Sequence, residues 1–281
     1  MVSAAEVLIV VTSTARVTDG TRSCLRIQNW SESLSEGSTK TKKDRLDIAI
    51  AFAEQSRKRI SMKRSITYFE EPGPQNTDAL IAVVKERISE RDVQSVVIAS
   101  ESGRTALVVA EALKDLDVHI VCVAPYGGYQ YVLKKTWPPM REEIRTKLDA
   151  LEVKILDQTP WIFGCTFDTA FLEDTAPATV IHKFLSRTFG FGVKTCIEVA
   201  LIAAEAGALA PDKEAIAIAG TGWLGGGADA AIVVKPAPVY EGAFLKNEKG
   251  LEVREILAMP RVKFSERLID VMKKAGKDEP I

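Results

Sequence analysis

The feature that most constrains this chain is a regular alternation of short apolar runs and helical patterns from Ser65 onward. The runs SVVIAS and HIVCVAP are rich in β-branched residues and have the length of buried strands. Between such runs, apolar residues recur at helical spacing, as Ala106 and Ala110 do. This alternation predicts an α/β fold with three αβα layers, in which helices cover both faces of a mostly parallel sheet.

The chain divides into three predicted segments. Residues 1–61 are expected to form a poorly defined or partly disordered N-terminal extension, because the stretch NWSESLSEGSTKTKKDR is rich in Ser, Thr and Lys. Residues 62–261 carry the strand and helix alternation and are predicted to form the α/β domain. Residues 262–281 are expected to be a C-terminal helical tail with a frayed end.

The charge balance and the hydropathy pattern exclude several classes of partner. Lys and Arg total 37 against 38 Asp and Glu, for a net charge of -1, so no electrostatic argument favours nucleic acid or an anionic membrane. No uncharged apolar segment is long enough to span a bilayer, and no basic segment precedes the early run EVLIVVTST. We therefore expect a cytoplasmic protein.

Cysteine and histidine usage argues against metal and triad chemistry. The four cysteines are far apart, without zinc-site or redox-motif spacing, which predicts reduced thiols in the core. The two histidines, His119 and His182, belong to different predicted elements. A Ser-His-Asp triad or a histidine-rich metal site is therefore not expected, and we predict no metal ligands.

Two predicted strands end in small polar residues just before a helix. These segments are EEPGPQNT and SESGRTA. The first amides of a helix have no internal partner and, with the helix dipole, attract an anion. The candidate phosphate-binding residues are Asn76 and Thr77 in the first segment and Ser100, Ser102, Gly103, Arg104 and Thr105 in the second. Because Ser and Thr are common at helix starts, a well-capped helix without a ligand is an equal alternative.

A third candidate is the glycine-rich segment AGTGWLGGGADAA between two predicted strands. Its missing side chains favour the close approach of a flat or phosphorylated ligand, with Gly220, Thr221 and Gly222 as candidate contacts. The spacing fits neither a Rossmann fingerprint nor a P-loop. A simple hairpin is the alternative, in which Asp229 caps the turn instead of bonding to a ligand hydroxyl.

A charged pair interrupts the otherwise apolar helical stretch FGVKTCIEVALIAAEAGAL. Lys194 and Glu198 are separated by one helical turn, so their side chains can meet. In such surroundings they are expected to form a structural ion pair or, alternatively, to lie near a polar ligand. Several aromatic residues in predicted loops offer either core packing or a surface for a planar ring. These aromatics are Tyr126, Tyr129, Trp161, Phe163 and Trp223.

The stretch VVIASESGRTALVVAEAL resembles the C-terminal α/β domain of pyruvate kinase, in which a strand ends in a similar Ser-Gly-Arg-Ser/Thr-Ala loop. In regulated pyruvate kinases that loop holds a phosphate of the sugar effector. The blocks ITYFEEPGPQNT, FGFGVKTCIEVALIAAEAG and EILAMPR, in the same order, are similar to the small stand-alone archaeal and bacterial proteins of the pyruvate kinase C-terminal-domain-like group. The resemblance covers roughly Met62 to Arg261, and the residues before Met62 have no counterpart in it.

Proteins of this group have been seen with bound FMN. The resemblance therefore implies a pyruvate kinase C-terminal-domain-like fold with a pocket of flavin-nucleotide size, formed by the candidate residues of the three segments above. Because the catalytic barrel of pyruvate kinase is absent, this chain is not expected to make pyruvate.

Three functions follow from these observations. The first is an FMN-binding protein that acts as a flavin-dependent oxidoreductase. The second is a non-catalytic sensor or regulatory module for another phosphorylated metabolite. The third is a structural, homo-oligomer-forming domain in which the loops only cap helices. No arrangement of residues in the sequence names a reaction, so catalytic residues are not assigned.

Overall fold

A computed structural model of the chain describes residues 62–125, 140–164 and 167–275. Contacts divide the chain into two compact units, Met1–Lys63 and Arg64–Ile281. All the strands and helices below belong to the second unit. The predicted N-terminal extension, residues 1–61, lies outside the described residues.

Seven described strands form one sheet in the order β1-β7-β6-β5-β2-β3-β4. The strands are β1 (Thr67–Phe69), β2 (Ser95–Ala99), β3 (His119–Val123), β4 (Lys154–Leu156), β5 (Ala215–Ala219), β6 (Ala230–Lys235) and β7 (Glu252–Pro260). Only β6 among them runs antiparallel to its neighbours, β5 and β7, whereas the remaining pairs are parallel. The predicted α/β class and mostly parallel sheet are confirmed.

The structure describes seven α-helices. They are α1 (Thr77–Ile88), α2 (Arg104–Leu113), α3 (Glu142–Ala150), α4 (Phe167–Leu172), α5 (Pro177–Phe189), α6 (Phe191–Glu205) and α7 (Glu266–Lys274). In α1, Leu80, Val84 and Ile88 are buried on one face at helical spacing. None of the described helices combines the length and hydropathy that a bilayer-spanning segment requires.

Three helices cover one face of the sheet. Val96 and Ile98 of β2 point toward this face, because successive side chains of a strand alternate between faces. Val84 of α1, Val109 of α2 and Leu148 of α3 pack in the same buried cluster. This cluster forms the first of two cores in the described unit.

Helix α6 covers the opposite face. It packs Val199 and Ile202 in one cluster with Val97 of β2 and Val123 of β3. Because α5 packs on the outer side of α6, most of the α6 surface is buried, as its apolar sequence predicted. The sheet therefore lies between two helical layers, which is the predicted three-layer arrangement.

The last described helix is part of the same compact unit. Ser265 begins α7 as its N-cap and accepts a hydrogen bond from the Leu268 amide at 3.4 Å. Leu268 and Met272 are buried in a small cluster with Phe191 and Leu224. The predicted charged helix thus packs through its apolar face, and residues 276–281 lie outside the described residues.

Candidate ligand site at the carboxyl edge of the sheet

The topology brings the three candidate segments to one edge of the sheet. Strands β1, β2 and β5 run in the same direction, so the loops that follow them leave from the same side, here called the carboxyl edge. From β2 the chain continues through α2 on one face to β3, and it reaches β5, the other neighbour of β2, through α6 on the opposite face. Such a switch point is where open α/β sheets bind ligands.

Two of the three segments are bonded to each other through Asp229. Its Oδ2 accepts a hydrogen bond from the Gly73 amide at 2.9 Å and one from the Thr221 amide at 3.1 Å. The Asp229 side chain is fully buried. Of the two roles left open for Asp229, the structure shows the capping of the turn, and the carboxylate also joins the loop after β1 to the loop after β5.

The hydroxyl of Thr77 makes a second connection between these loops. It donates to the Pro74 carbonyl at 2.7 Å and accepts from the Ala228 amide at 3.0 Å. The Asn76 side-chain amide donates to the Glu71 carbonyl at 2.8 Å and makes no capping bond to α1. These predicted ligand contacts are therefore engaged within the protein.

The glycines of the third segment permit close packing of backbone. A Cβ added to Gly227 would lie 2.5 Å from the Cα of Pro74, and one added to Gly220 would overlap the Gly227 carbonyl. Gly222 begins a short 3-10 turn, Gly222–Leu224. Loop-to-loop contact is thus a sufficient reason for glycine at positions 220 and 227.

The loop before α2 differs because it keeps unpaired donors. We call residues 100–105 the anion loop. Ser100 Oγ accepts a hydrogen bond from the Ala106 amide at 3.2 Å, so this hydroxyl caps the helix. Within the described ranges, the amides of Arg104 and Thr105 have no backbone acceptor, and the side chains of Ser102, Arg104 and Thr105 have no hydrogen-bond partner. These groups remain available to an anion.

Gly103 is required by conformation and by packing against α3. It is the N-cap of α2 with φ of 75°, in the left-handed region that glycine adopts most easily. A Cβ at this position would lie 2.7 Å from Ile144 Cγ2 and 3.0 Å from Met140 Cε. Protein atoms therefore fill the space beside the Gly103 Cα, and Gly103 shapes the loop that presents the donors.

The charged pair of α6 is buried at the carboxyl edge. Lys194 Nζ donates to Glu198 Oε2 at 3.1 Å, which confirms the predicted ion pair. Glu198 Oε1 also accepts from the Phe163 amide, at 2.8 Å, in the loop after β4. Lys194 is 8% exposed and Glu198 is 1% exposed. A buried pair of this kind needs the extra hydrogen bond because desolvation of both charges is costly.

Glu101, which the sequence did not single out, lies in the anion loop. Burial raises its pKa from 4.5 to about 7, and the nearby charge of Lys194 partly opposes that rise. His182 of α5 is also within electrostatic range of Lys194, and burial followed by the lysine charge lowers its pKa to about 4. The sequence signal for Glu101 was its position between Ser100 and Ser102. The sequence analysis considered only the hydroxyl, glycine and arginine residues of this loop as ligand contacts.

The second oxygen of Asp229 faces the start of α6. A Cβ added to Gly192 would lie 2.5 Å from Asp229 Oδ1, which has no hydrogen-bond partner in the described part of the chain. Burial raises the pKa of Asp229 from 3.8 to about 6, against hydrogen bonds from Thr221 and Gly73 and the charge of Lys263, which lower it. A carboxylate at a helix N-terminus complements the helix dipole.

The described aromatics near this edge are packed against protein. Trp161 lies against the α6 cluster, and its Nε1 is buried without a hydrogen-bond partner among the described residues. Trp223 packs in the cluster with Phe191 and Leu224. Tyr126 and Tyr129 lie outside the described residues.

A shallow depression of about 560 Å³ lies elsewhere, in the connection between β6 and β7, and is lined by residues 245–249. That connection leaves the antiparallel strand β6 at the edge opposite the anion loop. In comparisons with known proteins, no protein-family model matches the sequence.

Proposed function

We propose that this protein binds a phosphorylated small molecule, with FMN as the first candidate, and that the phosphate lies against the anion loop. The observation that carries the proposal is a set of donors at the start of α2 that have no partner among the described residues, namely the Arg104 and Thr105 amides and the side chains of Ser102, Arg104 and Thr105. Amides at a helix start, hydroxyls and a guanidinium are the groups that bind phosphate in proteins. Their position at the switch point of the sheet supports the same conclusion.

The chemistry of the donor set fits the phosphate of FMN. A phosphate dianion accepts several hydrogen bonds, and the anion loop offers donors that have no acceptor in the described part of the chain. The residues that would hold it are Ser102, Arg104 and Thr105. Bound FMN would supply electron or hydride transfer, while the chain would bind and orient it. The resemblance to the pyruvate kinase C-terminal-domain-like group supports both the ligand and that fold as proposals.

Of the three predicted segments, the anion loop is therefore the one to test first. Asn76, Thr77, Gly220, Thr221 and Gly222 then act indirectly, because they hold the loops after β1 and β5 together. A cytoplasmic location fits the two described cysteines, Cys122 and Cys196, which are buried free thiols. Self-association stays a prediction that analytical ultracentrifugation would test.

The proposal is tested by titrating FMN with purified protein and following flavin fluorescence. Ser102→Glu or Thr105→Glu should weaken binding at least about 10-fold, because each places a negative charge among the donors. Val108→Glu is the matched control, since Val108 is 44% exposed on the same helix and lies beyond the anion loop. Binding that is equally strong in all four proteins would contradict the proposed position of the phosphate.

A ligand panel separates the two binding functions. Fructose 1,6-bisphosphate and FMN are compared by thermal shift with the same variants. If FMN binds more tightly, the flavoprotein function is supported. If the sugar phosphate binds more tightly and still depends on Ser102 and Thr105, the sensor function is supported instead. A protein that binds neither would be consistent with loops that only cap helices.

A further inference from the structure

Strand β1 forms one edge of the described sheet and leaves one side of its backbone unpaired there. Directly after β7, the Arg261 amide donates a hydrogen bond to the Phe69 carbonyl at 2.7 Å, so the backbone groups of Phe69 face β7. Backbone N–H and C=O groups of successive strand residues point to opposite edges, and those of Tyr68 therefore face away from β7. Because the sheet order ends at β1, no described strand bonds to them. We call this side of residues 66–68 the open edge.

The side chains along the open edge are apolar and exposed. Tyr68 is 52% exposed and Ile66 is 38% exposed. Tyr68 lies beside Met259, which packs against the α6 cluster, so Tyr68 is on the α6 face of the sheet. The edge strand at the other end of the described sheet, β4, carries the exposed Lys154, a charge of the kind that discourages strand pairing. Strand β1 carries no charged residue, so its edge lacks this protection.

The charges that flank β1 match those of a second copy of the same strand. Lys63 and Arg64 precede the strand, Glu70 and Glu71 follow it, and Thr67 lies midway between the two pairs. When two copies pair antiparallel about Thr67, Lys63 of each copy lies opposite Glu71 of the other. A parallel arrangement in register would instead place like charges opposite each other, which is unfavourable. Lys63 and Glu71 are exposed, and neither forms an ion pair in the described part of the chain.

The backbone geometry agrees with this register. In an antiparallel pair about Thr67, Ile66 of one copy lies opposite Tyr68 of the other. With the chain extended from residue 66 onward, the outward groups of Ile66 and Tyr68 exchange two N–H···O=C bonds in each such pair. The two side chains also form a cross-strand apolar contact, which stabilises antiparallel strands. Backbone direction and flanking charge are independent observations, and both favour a second copy of this chain as the partner.

We propose that two copies of this chain associate through their open edges into a symmetric dimer, in which the antiparallel β1 strands join the two sheets into one. A two-fold interface uses the same surface on both copies, so each copy must carry both charges, as the segment around β1 does. The inference does not depend on the proposed ligand. In the sheet, β7, β6 and β5 separate β1 from β2, which leads into the anion loop.

Sedimentation velocity of the full chain over a range of concentrations measures the association directly. The wild type should sediment as a dimer at micromolar concentration. Tyr68→Pro removes an amide donor from the open edge, and proline is tolerated where the amide of an edge strand points outward, so pairing with β7 is retained. Because the missing donor and the rigid ring oppose strand pairing, this variant should raise the dissociation constant of the dimer at least about 10-fold.

Ile155→Pro is the matched control in the other edge strand. The Ala124 amide donates to the Leu156 carbonyl at 2.8 Å, so the backbone groups of Leu156 face β3 and those of Ile155 point outward. The control thus makes the same backbone change in β4 and should leave the dissociation constant unchanged. A dimer that is weakened equally by both substitutions would contradict the assignment of the interface to β1.

Charge reversal at Lys63 and Glu71 is a second test that leaves β1 itself intact. Arg64 is left in place because it already forms ion pairs within the chain. Lys63→Glu or Glu71→Lys alone should raise the dissociation constant about 3- to 10-fold, because each places like charges opposite each other. The double variant should restore it, since opposite charges face each other again, and a merely structural role would not produce this rescue. Lys85→Glu, at an exposed position of α1, changes the net charge equally and should have no effect.

The dimer and the ligand site fail in different ways. A wild-type chain that stays monomeric up to the millimolar range would overturn the proposed dimer, as would a dimer that neither Tyr68→Pro nor the single charge reversals weaken. Single reversals without rescue in the double variant would reject the antiparallel register. FMN titration of Tyr68→Pro should match the wild type, because β1 lies away from the anion loop. Circular dichroism shows whether each variant is folded, and the charge reversals decide the question if Tyr68→Pro is not.

Discussion

The amide of Gly73 donates a hydrogen bond of 2.9 Å to Oδ2 of Asp229, although 156 positions separate the two residues in the chain. The same oxygen accepts from Thr221 at 3.1 Å. One buried carboxylate thereby connects the loop after the first strand with the turn between β5 and β6. This connection fixes two of the loops that surround the proposed ligand site.

The Asp229 connection predicts a pH dependence of stability. Burial raises the folded-state pKa of Asp229 to about 6 from 3.8, so the folded protein binds this proton more tightly than the unfolded chain. The resulting stabilisation is complete below about pH 4 and is lost as pH rises through about 6. The stability advantage of the wild type over Asp229→Asn should therefore decrease by up to about 3 kcal/mol from pH 4 to pH 7.

Urea denaturation of both proteins at several pH values measures this difference. Asp212→Asn is the matched control, because Asp212 is exposed and its removal should leave the pH profile of stability unchanged. Wild-type and Asp229→Asn curves that run parallel between pH 4 and pH 7 would contradict the assigned burial of the charge.

Gly103→Ala should destabilise the protein by about 2–4 kcal/mol. A non-glycine residue at φ of 75° costs roughly 1–2 kcal/mol, and the added Cβ would also crowd Ile144 and Met140. Gly207→Ala separates the two causes, because Gly207 has φ of 64° and no atom within 4 Å of an added Cβ. Its cost should stay near 1 kcal/mol. Equal midpoints in urea for the two variants would show that contact with α3 is unimportant.

Alanine substitutions at Ser100 and Ser102 should have different effects, the first on stability through helix capping and the second on ligand affinity. Ser100→Ala removes the acceptor of the Ala106 amide and should cost about 1–2 kcal/mol in unfolding free energy, with little effect on FMN affinity. Ser102→Ala should leave stability nearly unchanged and weaken FMN binding, because the Ser102 hydroxyl has no partner in the described residues. Thermal melts and flavin fluorescence titrations measure the two effects. Loss of stability in Ser102→Ala together with loss of FMN affinity in Ser100→Ala would contradict these assigned roles.

Arg87→Met should lower the free energy of unfolding strongly, because Arg87 is a buried charged residue. Arg87 is 4% exposed and pairs with Glu255 at 2.9 Å and with Asp92, so its loss leaves the nearly buried Glu255 with the longer contact to Arg64, at 3.4 Å. The expected cost is about 3–5 kcal/mol. Arg254→Met breaks exposed pairs with Glu252 and Glu214 instead and should cost less than about 1 kcal/mol. Urea midpoints compare the two, and similar values would indicate that Arg87 is solvated.

Local patterns in the sequence were sufficient to predict most elements of the described fold. The run SVVIAS alternates between the two cores, with Val96 and Ile98 on one side and Val97 on the other. Helix α1 buries Leu80, Val84 and Ile88, which have the spacing of one helical face. The Lys194–Glu198 contact was also predictable, because residues four apart meet on any helix.

The candidate site was harder to predict because its contacts join distant parts of the chain. Thr77 and Thr221 were expected to face a ligand on the basis of their loops alone. The structure shows the Thr77 hydroxyl and the Thr221 amide engaged by Ala228 and Asp229. A preference for hydroxyls and glycines at a loop does not reveal whether the acceptor is a ligand or another loop. The pairing depends on strand order, which has no local signature.

The edge strand β1 pairs only with β7 in the described sheet, so that Thr67 lies beside Ala258 and Phe69 beside Pro260. A ribosome makes β1 before the six strands that follow it, and its partner comes last. During synthesis, β1 must therefore wait with both of its edges unsatisfied until almost all of the described chain has emerged. A nascent chain arrested before Glu252 would already contain β2 to β6 but would lack β7, the strand that pairs with β1 in the described sheet.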